Sequence, residues 1–172
     1  MTRRALPWIV AAAVLAVDRA TKLAVMHCIR PGDAFIVFEG FSITHVHNRG
    51  IAFSFFAESG RIGQAVLVAL IAVTVAVIAW ILWRSGDSIP PAGRAALGAI
   101  LGGAVGNLVD RLLYGAVVDF LHFWVRVGGK GYAWPDFNVA DAAITVGAGA
   151  LILAELFGHR RPDVETDGEG EA

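Results

Sequence analysis

Four apolar stretches, about Leu6–Met26, Ile62–Trp83, Ala95–Leu113 and Val139–Phe157, each match the roughly 20 residues a helix needs to cross a hydrocarbon core. Backbone N–H and C=O groups find no water there, so each stretch has to satisfy them internally as a helix. The expected fold class is a mainly α membrane protein with four transmembrane helices. Composition agrees, since 56% of the 172 residues are hydrophobic and only 17% charged, against about a quarter charged in soluble domains. Arg3 and Arg4 precede the first stretch as in a secretory signal. However, Asp18, Arg19 and Lys22 stand where a small-residue cleavage site belongs, so it reads as a retained span. A net charge of −1 supplies no global field for nucleic acid. Cys28, the single cysteine, rules out an internal disulfide or a Cys-based zinc site and reads as a small apolar residue near a helix end.

Lysine and arginine near the span ends set the orientation. Arg3, Arg4, Arg84, Arg94, Arg160 and Arg161 share one side, expected to be cytoplasmic with both termini, and Arg30, Arg49, Arg126 and Lys130 lie outside. Trp8, Trp80 and Trp83 then fall near the inner boundary, and Trp124 and Trp134 near the outer one. No repeat or linker divides the chain, so residues 1–162 form one domain, followed by an acidic cytoplasmic tail, 163–172, expected to be disordered. The inner link Arg84–Arg94, with Pro90-Pro91, reads as a turn. In the first outer connection, Phe35–Phe38, then Phe41, Ile43 and Val46 around Glu39-Gly40, predict a small sheet or hairpin on the membrane surface. The second, Tyr114–Phe137, is too polar to span and too apolar to float free, and is expected to lie at the interface.

Within the third stretch Gly98, Gly102 and Gly106 recur every four residues, and Asp110 continues the series on the same helix face. Glycines at that spacing let backbones approach closely, which turns this face inward. A charge at mid-bilayer costs at least about 2.5–3.5 kcal/mol, so retained ionisable residues need a reason. Asp18, Arg19, Lys22, Asp110, Arg111 and Asp141, with Asp119 just beyond the third stretch, all fall toward the outer boundary. Asp18 and Lys22, four apart with the acid first, suit an ion pair along one helix face, and mutual neutralisation is the stronger reading of that pair. Asp110 and Arg111 point about 100° apart on a helix, so each should reach a separate partner. Arg111 is a candidate for holding an anionic or carbonyl group of a ligand.

Asp141 follows Asn138, which suits an N-cap, so capping and catalysis have equal claims on it. Asp119 has no adjacent cation and is harder to assign to capping. Two carboxylates brought together share one proton, which supplies a base to activate water and an acid for a leaving amine. Spacing alone does not prefer Asp119 to Asp110 as a member of such a pair. Other hydrolytic machinery is poorly supplied. There is no Gly-x-Ser-x-Gly elbow, and His45 and His47 lack the His-Glu-x-x-His helix of zinc peptidases and read as loop histidines.

Five blocks together resemble the lipoprotein signal peptidase (signal peptidase II) family: Asp18-Arg19-Ala20-Thr21-Lys22, Asn48-Arg49-Gly50-Ile51-Ala52-Phe53, Gly102 through Asn107 to Arg111, Val117-Val118-Asp119-Phe120 and Phe137-Asn138-Val139-Ala140-Asp141. They occur in the family's order and run from the first span to the fourth. The resemblance implies four membrane helices, a small extracytoplasmic β-cradle, an outer-leaflet site in the bacterial inner membrane, and an aspartyl dyad at Asp119 and Asp141. It assigns supporting or substrate-binding roles to Asp18, Lys22, Asn48, Gly50, Asn107, Asp110, Arg111, Asn138 and Ala140, with Arg111 the residue expected to touch substrate. No metal or cofactor is implied. The implied substrate is a diacylglyceryl-modified prolipoprotein, met as lipid and peptide together by a monomeric enzyme. The stretch between Phe120 and Phe137 is a few residues longer than is usual in the family, which bears on the substrate entrance. The rival reading, a small proton-coupled transporter, calls for acids spread through the bilayer depth, whereas here they gather at one boundary. A membrane scaffold built on the glycine face leaves Asp119 and Asn48 without a role.

Overall fold

The computed structural model describes residues 4–50, 60–85 and 88–158. The acidic tail, and the Ile51-Ala52-Phe53 part of the second block, lie outside the described residues. The elements run α1 (Leu6–Cys28), β1 (Ala34–Phe38), β2 (Phe41–Asn48), α2 (Gly60–Arg84), α3 (Pro91–Tyr114), β3 (Val117–Val127), β4 (Lys130–Ala133) and α4 (Val139–Gly158). Each helix overlies one of the four apolar stretches. The largest shift is at α3, which starts at Pro91 rather than at Ala95 because proline is tolerated in a first turn, where its missing N–H has no partner to lose. It stops at Gly115, whose φ of 67° is a left-handed conformation that glycine adopts without strain, and whose N–H bonds the Arg111 carbonyl.

Three helical segments, Ile62–Arg84, Pro91–Tyr114 and Val139–Phe157, are long and apolar enough to cross a membrane. The fourth expected span, α1, has the length, at 23 residues, but carries Asp18, Arg19 and Lys22 in its C-terminal half. Asp18 and Lys22 are fully buried.

Helix α3 is the centre of the bundle and touches α1, α2 and α4. Its glycines make this possible. A Cβ on Gly98 would run into the Pro7 carbonyl, one on Gly102 into the Ala11 carbonyl, and one on Gly106 would sit 2.6 Å from Asp18 Oδ2. On the neighbouring face Gly103 meets the Ala140 backbone, and Gly147 of α4 meets the Ala96 carbonyl. Backbone-to-backbone approach therefore holds α1 and α4 on either side of α3, as the four-residue glycine series predicts. Away from the sheet, Ala11, Ile78, Leu82 and Leu101 form the apolar core where α1, α2 and α3 meet.

The four strands form one antiparallel sheet in the order β1-β2-β3-β4. The first hairpin is the one read from Phe35–Phe38 and Phe41–Val46, with Gly40 at φ 96° in its turn. The second adds strands to a connection expected only to lie at the interface. Residues of the Tyr114–Phe137 connection form β3, which pairs with β2, and β4, which pairs with β3 around Gly128-Gly129 at φ 57° and 79°. Two successive positive φ values suit a tight turn whose twist matches the flanking strands. His45 and His47 correspondingly lie on β2, not in a loop, and His45 is buried with Nδ1 2.7 Å from the Ile29 carbonyl.

Candidate active site

The polar residues converge where the C-terminal ends of α1 and α3 and the N-terminal end of α4 meet β2 and β3. Lys22 of α1 is the hub. Its Nζ lies 2.9 Å from Asp18 Oδ2, 2.8 Å from Asp110 Oδ2 and 3.0 Å from Asn107 Oδ1. The Asp18–Lys22 pair predicted along one helix face is therefore present, but it is only half of the arrangement. Asp18 Oδ1 also accepts the Ala140 N–H at 3.0 Å, so an α1 carboxylate caps the first turn of α4. Ala140 itself is wholly buried, and its carbonyl lies where Gly103 lacks a side chain.

Asp110 is saturated. It is paired with Arg19 through Oδ1 and Lys22 through Oδ2, and it accepts the Val118 N–H at 3.2 Å. Arg111 points elsewhere, as the helix geometry requires. It donates to the Gly50 carbonyl at 3.0 Å and to the Asn107 carbonyl at 3.3 Å, while its buried Nε has no hydrogen-bond partner among the described residues. Asp110 thus ties β3 to the helices, and Arg111 ties the segment after β2 to α3.

Asp119, near the start of β3 and 2% exposed, has a different environment. It accepts Asn138 Nδ2 at 2.7 Å on one oxygen and Asn48 Nδ2 at 2.9 Å on the other, both neutral amides. No cation touches it in the way that Lys22 and Arg19 touch Asp110. Burial, then the nearby charge of Asp141, pushes its carboxyl up to about 7, and the two amide donors only partly oppose this.

Asp141 lies in the first turn of α4. Its N–H donates to Asn138 Oδ1 at 3.0 Å, and its Oδ2 accepts the Asn138 N–H at 3.2 Å, a reciprocal cap. Its Oδ1 accepts Asn107 Nδ2 at 2.7 Å. Capping is therefore real, and it leaves the carboxylate in the site. Asn138, fully buried, reaches both acids: its amide nitrogen holds the Asp119 carboxylate and its amide oxygen holds the Asp141 backbone. Asn107 is oriented in turn, because its Oδ1 accepts from Lys22 and from Asn138 at 3.3 Å, which turns its Nδ2 to Asp141. Asn48 is fixed likewise, with Oδ1 accepting the Gly50 N–H at 2.9 Å.

Every residue singled out from the sequence thus falls in one connected cluster. Among the described residues it brings together the basic side chains of Arg19, Lys22 and Arg111 and the carboxyls of Asp18, Asp110, Asp119 and Asp141. Among the described residues no group of three or more His, Cys, Asp or Glu side chains is placed to hold a metal ion. Sequence reasoning missed Asp136, whose carboxylate accepts Thr44 Oγ1 at 2.7 Å and meets His122 Nδ1. Its only signal was an isolated acid two residues before Asn138.

A helical membrane bundle roofed by a small sheet, with the buried Asp119 and the half-buried Asp141 where the two meet, defines the class: a polytopic membrane protein with an acidic site. Residues 10–157 match the family model of signal peptidase (SPase) II. The chain is 45% identical over 151 residues to a lipoprotein signal peptidase of Paraburkholderia phytofirmans, covering 87% of this chain and 84% of that one. It is 42% identical over 165 residues to one from an Azoarcus species, covering 92% and 88%. A bacterial membrane enzyme solved by the in meso method superposes with a TM-score of 0.74 at 26% identity, covering 96% of this chain and 93% of its own. This chain belongs to the signal peptidase II family, and is a peptidase by that membership.

Proposed function

We propose that this chain is an intramembrane aspartic endopeptidase that removes signal peptides from diacylglyceryl-modified prolipoproteins, cutting just before the lipidated cysteine. The observation that carries the reading is the position of Asn138, whose one side chain holds both the Asp119 carboxylate and the Asp141 backbone. The two acids come from a strand and a helix 22 residues apart, and Asp141 lies near enough for its charge to act on Asp119.

Asp141 starts as the base. Its carboxylate sits in the first turn of α4, with Oδ1 accepting the Asn107 amide and Oδ2 the Asn138 N–H. Asp119 starts protonated, consistent with a carboxyl pushed up to about 7 by burial and by Asp141. A water between them gives a proton to Asp141 as its oxygen adds to the scissile carbonyl carbon, while the Asp119 proton passes to the carbonyl oxygen. Collapse of the tetrahedral intermediate breaks the C–N bond. The Asp141 proton goes to the leaving cysteine amine, and Asp119 recovers its own from the intermediate's hydroxyl. Arg111, with Nε unpartnered among the described residues, is the residue placed to donate to a substrate carbonyl.

In this reading α1 is the fourth span. Asp18 and Lys22 neutralise each other, Asp110 answers both Lys22 and Arg19, and the charged part of α1 therefore faces protein rather than lipid. Both termini are cytoplasmic, in the inner membrane, and the sheet lies on the outer surface, with Phe35, Ile36, Val37 and Phe38 of β1 exposed for contact with lipid. The enzyme acts as a monomer.

The test is purified protein incubated with a diacylglyceryl-modified precursor and with its unlipidated counterpart, the products located by mass spectrometry. The expected result is one cut before the modified cysteine and none in the unlipidated chain. Asp119→Asn and Asp141→Asn each lower the rate by at least about 10³-fold while remaining membrane-inserted. Substantial turnover by either variant removes that residue from the dyad.

A further inference from the structure

Asp119, on β3, and Asp141, on α4, are joined through the rest of the β3–β4 hairpin and the entry to α4. Only non-covalent attachments between sheet and helix can therefore hold their carboxyls at a fixed separation. On the bundle side, α4 is fastened by Asp18 to Ala140 N–H and by the glycine contacts of α3. On the sheet side, the attachment is concentrated in residues 136–138. The Phe137 carbonyl accepts from Phe120 N–H at 3.1 Å and Leu121 N–H at 2.8 Å, and its own N–H donates to the Leu121 carbonyl at 3.2 Å. Its ring stacks on Phe123 with centroids 5.9 Å apart.

Asp136 adds what backbone pairing does not. Its two oxygens are divided between strands: Oδ2 accepts Thr44 Oγ1 of β2 at 2.7 Å, and Oδ1 meets His122 Nδ1 of β3. One carboxylate thus clasps β2, β3 and the entry to α4, two residues before Asn138 and three residues beyond Asp119 on β3. We propose that Asp136, held by Thr44 and His122, is a positioning residue that sets Asn138 and Asp141 against Asp119. The inference rests on the reading of Asp119 and Asp141 as the dyad. Asp136 touches neither acid and takes no part in proton transfer. It acts by fixing the register of the α4 entry on the sheet, to which an in-line water reaction is sensitive on the sub-ångström scale.

The test measures kcat and KM of the full chain in detergent on the diacylglyceryl-modified precursor. Asp136→Ala is expected to lower kcat about tenfold with KM within about twofold, the pattern of misplaced reacting groups. Asp136→Asn, whose Oδ1 still accepts from His122, restores most of kcat. His122→Ala combined with Asp136→Ala is no slower than Asp136→Ala alone, since the two residues form one clasp. Thr44→Val, which removes a single donor, gives a loss of a few-fold and decides the question if Asp136→Ala does not fold. Wild-type kcat in Asp136→Ala, a loss confined to KM, failure of the Asn variant to recover, or multiplying effects in the double variant each overturn the proposal. Asp119→Asn and Asp141→Asn run alongside: if either turns over substrate, the dyad reading fails. If both are dead while Asp136→Ala is normal, only the clasp fails.

Discussion

Burying an acid that must keep its proton has a thermodynamic signature apart from catalysis. The Asp119 carboxyl rises from an ordinary 3.8 to about 7 in the folded protein, which corresponds to about 4 kcal/mol. Between those two values the folded protein holds a proton that the unfolded chain has released, so stability falls as pH rises through this window and is level above about pH 7. Asp119→Asn removes the charge and nearly keeps the shape. Its amide oxygen can still accept Asn138 Nδ2 where Oδ1 does now. Its amide nitrogen, however, meets the Asn48 amide nitrogen, and Asn48 cannot turn without losing its bond from Gly50 N–H. That mismatch costs about 1 kcal/mol. The variant is therefore expected to be about 3 kcal/mol more stable than wild type at pH 8 and slightly less stable at pH 4. Reversible unfolding in mixed micelles at increasing denaturing-detergent fraction, run at both pH values, measures this. An equal difference at the two pH values, or a less stable variant at pH 8, refutes the claim that Asp119 is held against its charged form.

Two other perturbations probe the scaffold. Lys22→Met leaves Asp18 and Asp110 without their shared cation and should destabilise the protein by about 3–5 kcal/mol in the same unfolding assay. Cleavage should fall with it, because Asn107 loses the charge that turns its amide toward Asp141. Gly102→Val puts branched carbon against the Ala11 backbone, forces α1 and α3 apart and is expected to cost about 1–3 kcal/mol, whereas the same change at Gly149, with open space around its Cβ position, is expected to be nearly neutral.

Much of the site was legible because its parts are local in sequence or anomalous in their setting. The Asp18–Lys22 pair needs only helical spacing, the Asn138–Asp141 cap only a first turn, and the inward face of α3 only a four-residue glycine series. The second hairpin was less legible, although Gly128-Gly129 is a strong turn signal. Its strand β3 begins with the apolar run Val117-Val118, and with Phe120 and Leu121 around Asp119 that run shows no clean alternation, because both faces are covered at that end and exposed at the other. Asp136 was invisible, since its two partners, Thr44 and His122, are brought to it only by strand pairing.

The sequence by itself determined that the chain must be helical wherever it meets lipid, because unpaired backbone polar groups are not tolerated there. It also determined that the retained charges gather toward one boundary. Three of the four helices carry their credentials for crossing in their own composition. Helix α1 does not, and its charges become intelligible only beside Asp110, Asn107 and Ala140. The tertiary structure alone separated the candidate acids. Asp110 is paired with two cations, whereas Asp119 accepts from two neutral amides beside a second carboxylate. The physical reason is that a carboxyl's readiness to hold a proton depends on which charges and dipoles surround it in space, and here those neighbours come from α1, α3, β2 and α4.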